Sequence, residues 1–317
     1  MKSGRWIVLA PMLLGACGAG SRTAFEQTYL AAPSNWRFRH RFPTVDRLFN
    51  GFDYGHAILY ETLLDRGDAA ERLEGPQFTF ITQRLLRDPP RVPLEESAIG
   101  PEYVKLVPEV VAMFEWAHAL HRQLYDVWSQ YGLLESEHDE QVARLLTYYR
   151  SRPDLAFSSR PKSMALMEGQ PYSLAFRGEA AKYNGLLWSY HWLQMALYDA
   201  LMTGRTEAQV RANVDSSVAE FFAMIGDAPR RMPAAMPMSA GVAPVFSARY
   251  PEAAIIFDNL HALHDVVADI LASPTIPRRA KRAAILAAAA TYRDDTTAVI
   301  SVDEWRAMGE MMTGRPR

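Results

Sequence analysis

Apolar positions along this chain recur three and four residues apart over long stretches, the spacing of one buried helix face, and no stretch alternates convincingly as a strand would. The first long helix is predicted from about 45 to 73, and the second from Pro101 or Pro108 to Gly132, since proline suits a first turn and glycine a stop. A shorter amphipathic helix is expected over 136–150, and a third long one over 172–203, ended by Gly204. Thr206 is placed to cap a helix over 206–225. The segment 226–244, rich in Pro and Met, reads as a loop. The fourth long helix spans 248–272 and stops at Ser273-Pro274, and an alanine-rich helix follows over 278–292. Ser301-x-x-Glu304 is a capping box that opens a last short helix. The expected fold is all-α: four long helices forming a bundle core, with shorter helices outside.

The four long helices carry related wording. Phe52-Asp53-Tyr54-Gly55-His56 is echoed by Phe114-Glu115-Trp116-Ala117-His118-Ala119-Leu120-His121. Phe257-Asp258-Asn259-Leu260-His261-Ala262-Leu263-His264 follows the second almost residue for residue, and Leu187-Trp188-Ser189-Tyr190-His191 is a looser copy. Six of the 8 histidines lie in these copies, so the chain is internally repeated. Stacked helical pairs would put the histidines in separate layers, whereas a shared core brings them together. The core arrangement is therefore expected.

A helix advances about 100° per residue, so residues three apart share a face. Asp53 and His56, Glu115 and His118, and Asp258 and His261 are such pairs, and His121 and His264 extend two stripes by a turn. Asp126, Asp199 and Asp269 stand eight residues beyond the central histidine, where the first copy has Leu64. Eight residues are about 12 Å of helix, too far for one small site. These aspartates are expected in a second polar layer or at helix ends.

An acid and a histidine three apart on facing helices resemble, in geometry, the ferritin-like di-metal carboxylate proteins. That resemblance implies a bundle-core metal site in which Asp53, His56, Glu115, His118, His121, His191, Asp258, His261 and His264 are the ligand candidates. The ferritin-like pattern has four carboxylates and two histidines; three acids and six histidines stand here. Such a shell suits iron, copper or zinc, bound as one or two ions, and not magnesium or calcium. Haem b is a third expectation, with His121 and His264 as axial ligands and Trp116, Trp128, Trp188, Tyr190 and Trp192 as walls. No Cys-x-x-Cys-His is present for covalent haem attachment.

Composition narrows the remaining classes. A hydrophobic fraction of 49% marks a folded chain, and a net charge of -2 gives no electrostatic case for nucleic acid. No phosphate-binding glycine loop or Gly-x-Ser-x-Gly supports nucleotide binding or a serine triad. His138 sits in a solvated acidic helix start, and His40 lies among Arg37, Arg39 and Arg41, a basic patch suited to lipid headgroups or a membrane partner. Met232, Met236 and Met238 form a small methionine cluster; thioethers are soft ligands for Cu(I), but they are also ordinary loop fillers.

Lys2 and Arg5, then an apolar stretch from Trp6 to Leu14, precede Leu14-Gly15-Ala16-Cys17, which holds the sole cysteine. This resembles the signal peptide and lipobox of bacterial lipoproteins. The resemblance implies residues 1–16 as a signal peptide, lipidation (palmitate included) at Cys17, a tether over 17–43 and a single α-helical domain over 44–317. It also implies export to the cell envelope and a lipid anchor facing the periplasm, with Gly18 after the cysteine favouring the outer membrane. An acylated Cys17 leaves no thiol for disulfides, catalysis or metal. The leading expectation is an exported, lipid-anchored metal-binding bundle serving redox chemistry or metal handling. The rival is a non-catalytic accessory lipoprotein whose histidine layer organises the core and which docks on a membrane complex.

Overall fold

The computed structural model describes residues 24–65, 72–93 and 95–313. Among them there is no strand, only an isolated bridge between Lys162 and Val299. The chain is all-α, as the apolar spacing predicts, and four long helices form its core.

Each long helix is entered the same way. A short helix ends, one residue breaks the helical path, and the long helix begins. The pairs are α1 (Arg37–Arg41) and α2 (Pro43–Asp65), then α3 (Pro101–Leu106) and α4 (Pro108–Trp128). After α5 (Glu135–Arg150) come α6 (Ala175–Glu179) and α7 (Ala181–Met202). After α8 (Glu207–Gly226) and α9 (Ser239–Val242) come α10 (Pro244–Arg249) and α11 (Pro251–Ala272). Two outer helices, α12 (Arg278–Arg293) and α13 (Val302–Met311), close the chain.

The breaking residues Phe42, Val107, Ala180 and Tyr250 share one conformation, with φ between −146° and −127° and ψ between 57° and 65°. Three of them precede a proline, whose ring disfavours α geometry in the residue before it while suiting the first helical turn. Ala180 adopts the same break without one. In every copy the breaking residue's N–H donates to the carbonyl of a buried aromatic four residues earlier: Phe38, Tyr103, Phe176 or Phe246.

The short helices are pinned by carboxylates from the far ends of the long ones. Asp126 on α4 accepts from the N–H groups of Trp36 and Phe38, at 2.8 and 2.9 Å. Glu61 on α2 returns the contact to Glu102 and Tyr103. Asp199 on α7 accepts from Val245 and Phe246, and Asp269 on α11 accepts from Leu174 and Phe176. Each carboxylate thus meets N–H groups that the first turn of a helix leaves unpaired, at its positive end. The three aspartates are helix-end residues outside the histidine layer. Their missing counterpart, where Leu64 stands, is supplied one turn earlier by the longer Glu61. The result is two reciprocally capped antiparallel pairs, α2 with α4 and α7 with α11.

Several boundaries differ from the pattern. The expected long helices over 172–203 and 248–272 each begin as a separate short helix, because the break at Ala180 or Tyr250 leaves the apolar spacing nearly intact. Residues 72–85 are also helical, a stretch disguised by Gly75 and Pro76. The segment expected as a tether is packed from residue 26 onward: Leu30 exchanges hydrogen bonds with Gln123, and Phe38 is buried. Two members of its basic patch are engaged within the molecule, Arg39 with Glu26 and Asp46, and Arg41 with Glu207 and the Tyr131 ring, while Arg37 and His40 are exposed. Thr206 and the Ser301/Glu304 box cap their helices as expected.

Replacing Asp269 by alanine orphans two backbone donors, and an expected destabilisation of about 2–3 kcal/mol follows from a lost cap plus a buried unpaired N–H. Urea denaturation of Asp269→Ala checks this; an unchanged midpoint would show that the cap does not hold the pair.

Candidate metal centre

Near the middle of each long helix the core changes from hydrocarbon to imidazole. His56 on α2, His118 and His121 on α4, His191 on α7, and His261 and His264 on α11 are all buried and form one continuous group. His191 stacks on His261 with ring centroids 4.1 Å apart, and His56 lies 4.7 Å from His264. His118 is 5.4 Å from His264, and His121 is 5.9 Å from His261. Phe114, Phe257, Tyr190 and Tyr198 wall the group with aromatic faces.

Three of these residues, His56, His191 and His264, offer one nitrogen each within 4.8 Å of one another. They lie close enough together to hold a metal ion. The His264 Nδ1 to His191 Nε2 distance is 3.3 Å. Two imidazole nitrogens bound about 2.0 Å from a tetrahedral ion lie roughly 3.3 Å apart, so this pair already has a ligand spacing. His56 Nδ1 donates to the Phe52 carbonyl at 2.8 Å, which fixes the proton on that nitrogen. Its Nε2 lone pair is buried with no hydrogen-bond partner among the described residues. An imidazole held by its N–H from a carbonyl, with the other nitrogen bare, is how metal-binding histidines are usually oriented.

Burial holds every one of the six below the usual imidazole range. His56 is lowered to about 4, first by desolvation and then by the proximity of His118. His118, His121, His191, His261 and His264 are lowered chiefly by desolvation, with neighbouring imidazoles adding to the shift for the last four. The group is therefore uncharged at neutral pH, with its lone pairs available.

The carboxylates expected beside the histidines have other partners. Asp258 accepts from the Ser239 hydroxyl and N–H, at 2.6 and 2.9 Å, and from the Trp305 indole at 2.7 Å. It ties α9 and α13 to α11. Asp53 pairs with the buried guanidinium of Arg122 at 3.0 Å, and its other oxygen is 3.8 Å from His118 Nδ1. Glu115 is half-buried, and desolvation with the nearby Glu95 and Asp53 charges raises it to about 7. The structure thus brings the six histidines together, leaves Asp53 at their margin, and gives Asp258 and Glu115 other surroundings. His121 bonds the Tyr198 hydroxyl through Nδ1 at 2.8 Å. Tyr198 was legible in principle, since it stands two turns after His191 on the same face. Glu96, buried beside this acidic margin and raised well above the carboxylate range by desolvation, has no periodic signal to announce it.

No protein-family model, curated protein or solved structure matches the chain, so the site's own geometry carries the functional reading.

Because the ligand nitrogens are already deprotonated, metal binding at pH 6.5 should release almost no protons. Three ordinary imidazoles with pKa near 6.5 would release roughly 1.5. Calorimetric titration with Zn2+ in two buffers of different ionisation enthalpy measures the difference. The affinity should stay level from pH 8 to about 5.5 and fall only as the pH approaches 4, where His56 protonates.

Proposed function

We propose that this protein binds a transition metal at the centre of its bundle, with His56, His191 and His264 as ligands. His118, His121 and His261 stand around them as a reserve of neutral imidazole. The carrying observation is the convergence of three buried nitrogens within 4.8 Å, one of them on His56 with a bare lone pair. An all-imidazole set suits zinc, copper or iron. Three histidines leave a fourth position open, as in sites where a metal handles a small ligand or an electron rather than only bracing a fold. With Asp53 paired to Arg122 and Asp258 paired to Ser239 and Trp305, the favoured reading is one ion held by imidazole.

The rival reading, a histidine layer that only organises the core, draws on the His191–His264 contact, since 3.3 Å is also a weak hydrogen bond between two neutral rings. It leaves the His56 Nε2 lone pair buried without a partner, an arrangement that costs free energy in a purely structural layer. Haem b is disfavoured by packing: rings in van der Waals contact with each other and with Phe114 and Phe257 would have to part to admit a porphyrin.

Export and lipid anchoring at Cys17 belong to the same proposal. They rest on the resemblance of residues 1–17 to lipoprotein signals, which lies outside the described residues. No helix among the described residues is long and apolar enough to cross a membrane.

Elemental analysis and an absorption spectrum of the purified protein test the proposal. One equivalent of zinc, copper or iron is expected in the wild type, and its loss in His191→Phe and His56→Phe, each folded by circular dichroism. His138→Phe, remote from the centre, should keep the metal. Wild-type protein that stays metal-free after exposure to all three ions would refute the reading, and a Soret band would replace it with haem.

A further inference from the structure

The methionines of the 226–244 segment meet a second group from elsewhere in the chain. Met236 and Met238 are buried, and they share a small cavity with Met164 and Met167, which lie at the one-turn helix Ala165–Glu168. The cavity measures about 20 Å³. A single water-sized occupant needs roughly 10–15 Å³, so there is room for one ion or one water and none for an organic molecule.

Three of the polar side chains around this cavity are already engaged, while the hydroxyls of Ser163 and Tyr292 also line it. Asp258 accepts from Ser239 and Trp305. Lys162 donates to the Asp294 and Thr297 carbonyls, and Asn259 to those of Ser158 and Arg160. The four methionines bring thioether sulfurs to the same lining, and thioethers are weak hydrogen-bond acceptors and good ligands for soft cations. Met232, grouped with Met236 and Met238 by sequence, is not in this set; it packs on Gly185 of α7. Met164 and Met167, about seventy residues away, take its place.

We propose that Met164, Met167, Met236 and Met238 form a second metal site, selective for a soft monovalent cation and, among biological ions, for Cu(I). It is separate from the imidazole centre, none of whose six histidines lines the cavity. Hard or borderline ions such as Zn2+ would gain little from neutral thioethers. The site stands whether or not the histidines bind metal.

The test is an anaerobic Cu(I) titration against a chromogenic chelator, using the full chain with Cys17→Ser so that no thiol competes. Leucine is close to methionine in volume, so Met167→Leu/Met238→Leu removes two sulfurs while filling the same space. The expected result is a Cu(I) equivalent that excess Zn2+ does not displace, that His56→Phe/His191→Phe retains, and whose affinity falls at least tenfold in Met167→Leu/Met238→Leu. X-ray absorption of the His56→Phe/His191→Phe protein should show copper with sulfur neighbours. Unchanged Cu(I) affinity in the leucine variant, or copper with only nitrogen neighbours, would overturn the proposal. Loss of Cu(I) from the histidine variant alone would place the ion in the imidazole centre and overturn it equally.

Discussion

The register of the four long helices depends on four carboxylates that reach across to the start of a short helix. Glu61 and Asp126 cap each other's entry segments, and so do Asp199 and Asp269. A helix sliding by one turn moves about 5.4 Å, which would tear two hydrogen bonds from their backbone donors at each end. The same slide would carry its histidine past the others. The caps lie far from the imidazoles along each helix, yet they decide that four separate histidines meet at one level.

At that level the core contains six imidazoles where hydrocarbon is the cheaper filling. Burying a polar group without a partner costs free energy, and the protein has lessened that cost by keeping the rings neutral and stacking them on one another and on aromatic faces. The remaining cost is concentrated on bare ring nitrogens at His56, His118, His121, His191 and His261. The ion proposed at His56, His191 and His264 would turn the His56 Nε2 lone pair from a liability into a bond. The Met-lined cavity gathers thioethers from two distant segments in the same core.

The helices and the meeting of the histidines were legible because both follow from period: apolar spacing marks the core face, and a repeated motif at one phase puts like residues at like heights. The downstream aspartates were correctly kept out of the layer by the rise of the helix alone. What spacing does not carry is the partner. Asp258 stands one turn from His261, as expected of a ligand, but its carboxylate is held by Ser239 and by Trp305, 47 residues on in the chain. The breaks at Ala180 and Tyr250 escaped because a single non-helical residue barely shifts the apolar phase. Met164 and Met167 escaped because a cavity shared by distant segments leaves no local pattern.

The two halves of the chain also explain why three particular histidines converge. Copies one and three open on a residue with positive φ, Trp36 and Leu174, and give one central histidine each. Copies two and four open on Pro101 and Pro244 and give a His-Ala-Leu-His pair each. The chain is thus a pair of helical pairs, and His121 in one half corresponds to His264 in the other. Perfect symmetry would give both the same surroundings. His121, however, meets the hydroxyl of Tyr198, while the position equivalent to Tyr198 in the first half is Leu63. His264 meets the hydroxyl of Tyr60 through its carbonyl, and its Nδ1 lies 3.3 Å from His191 Nε2. The corresponding rings thus have different Nδ1 partners, a tyrosine hydroxyl for His121 and another imidazole for His264, and only the second stands in the convergent set.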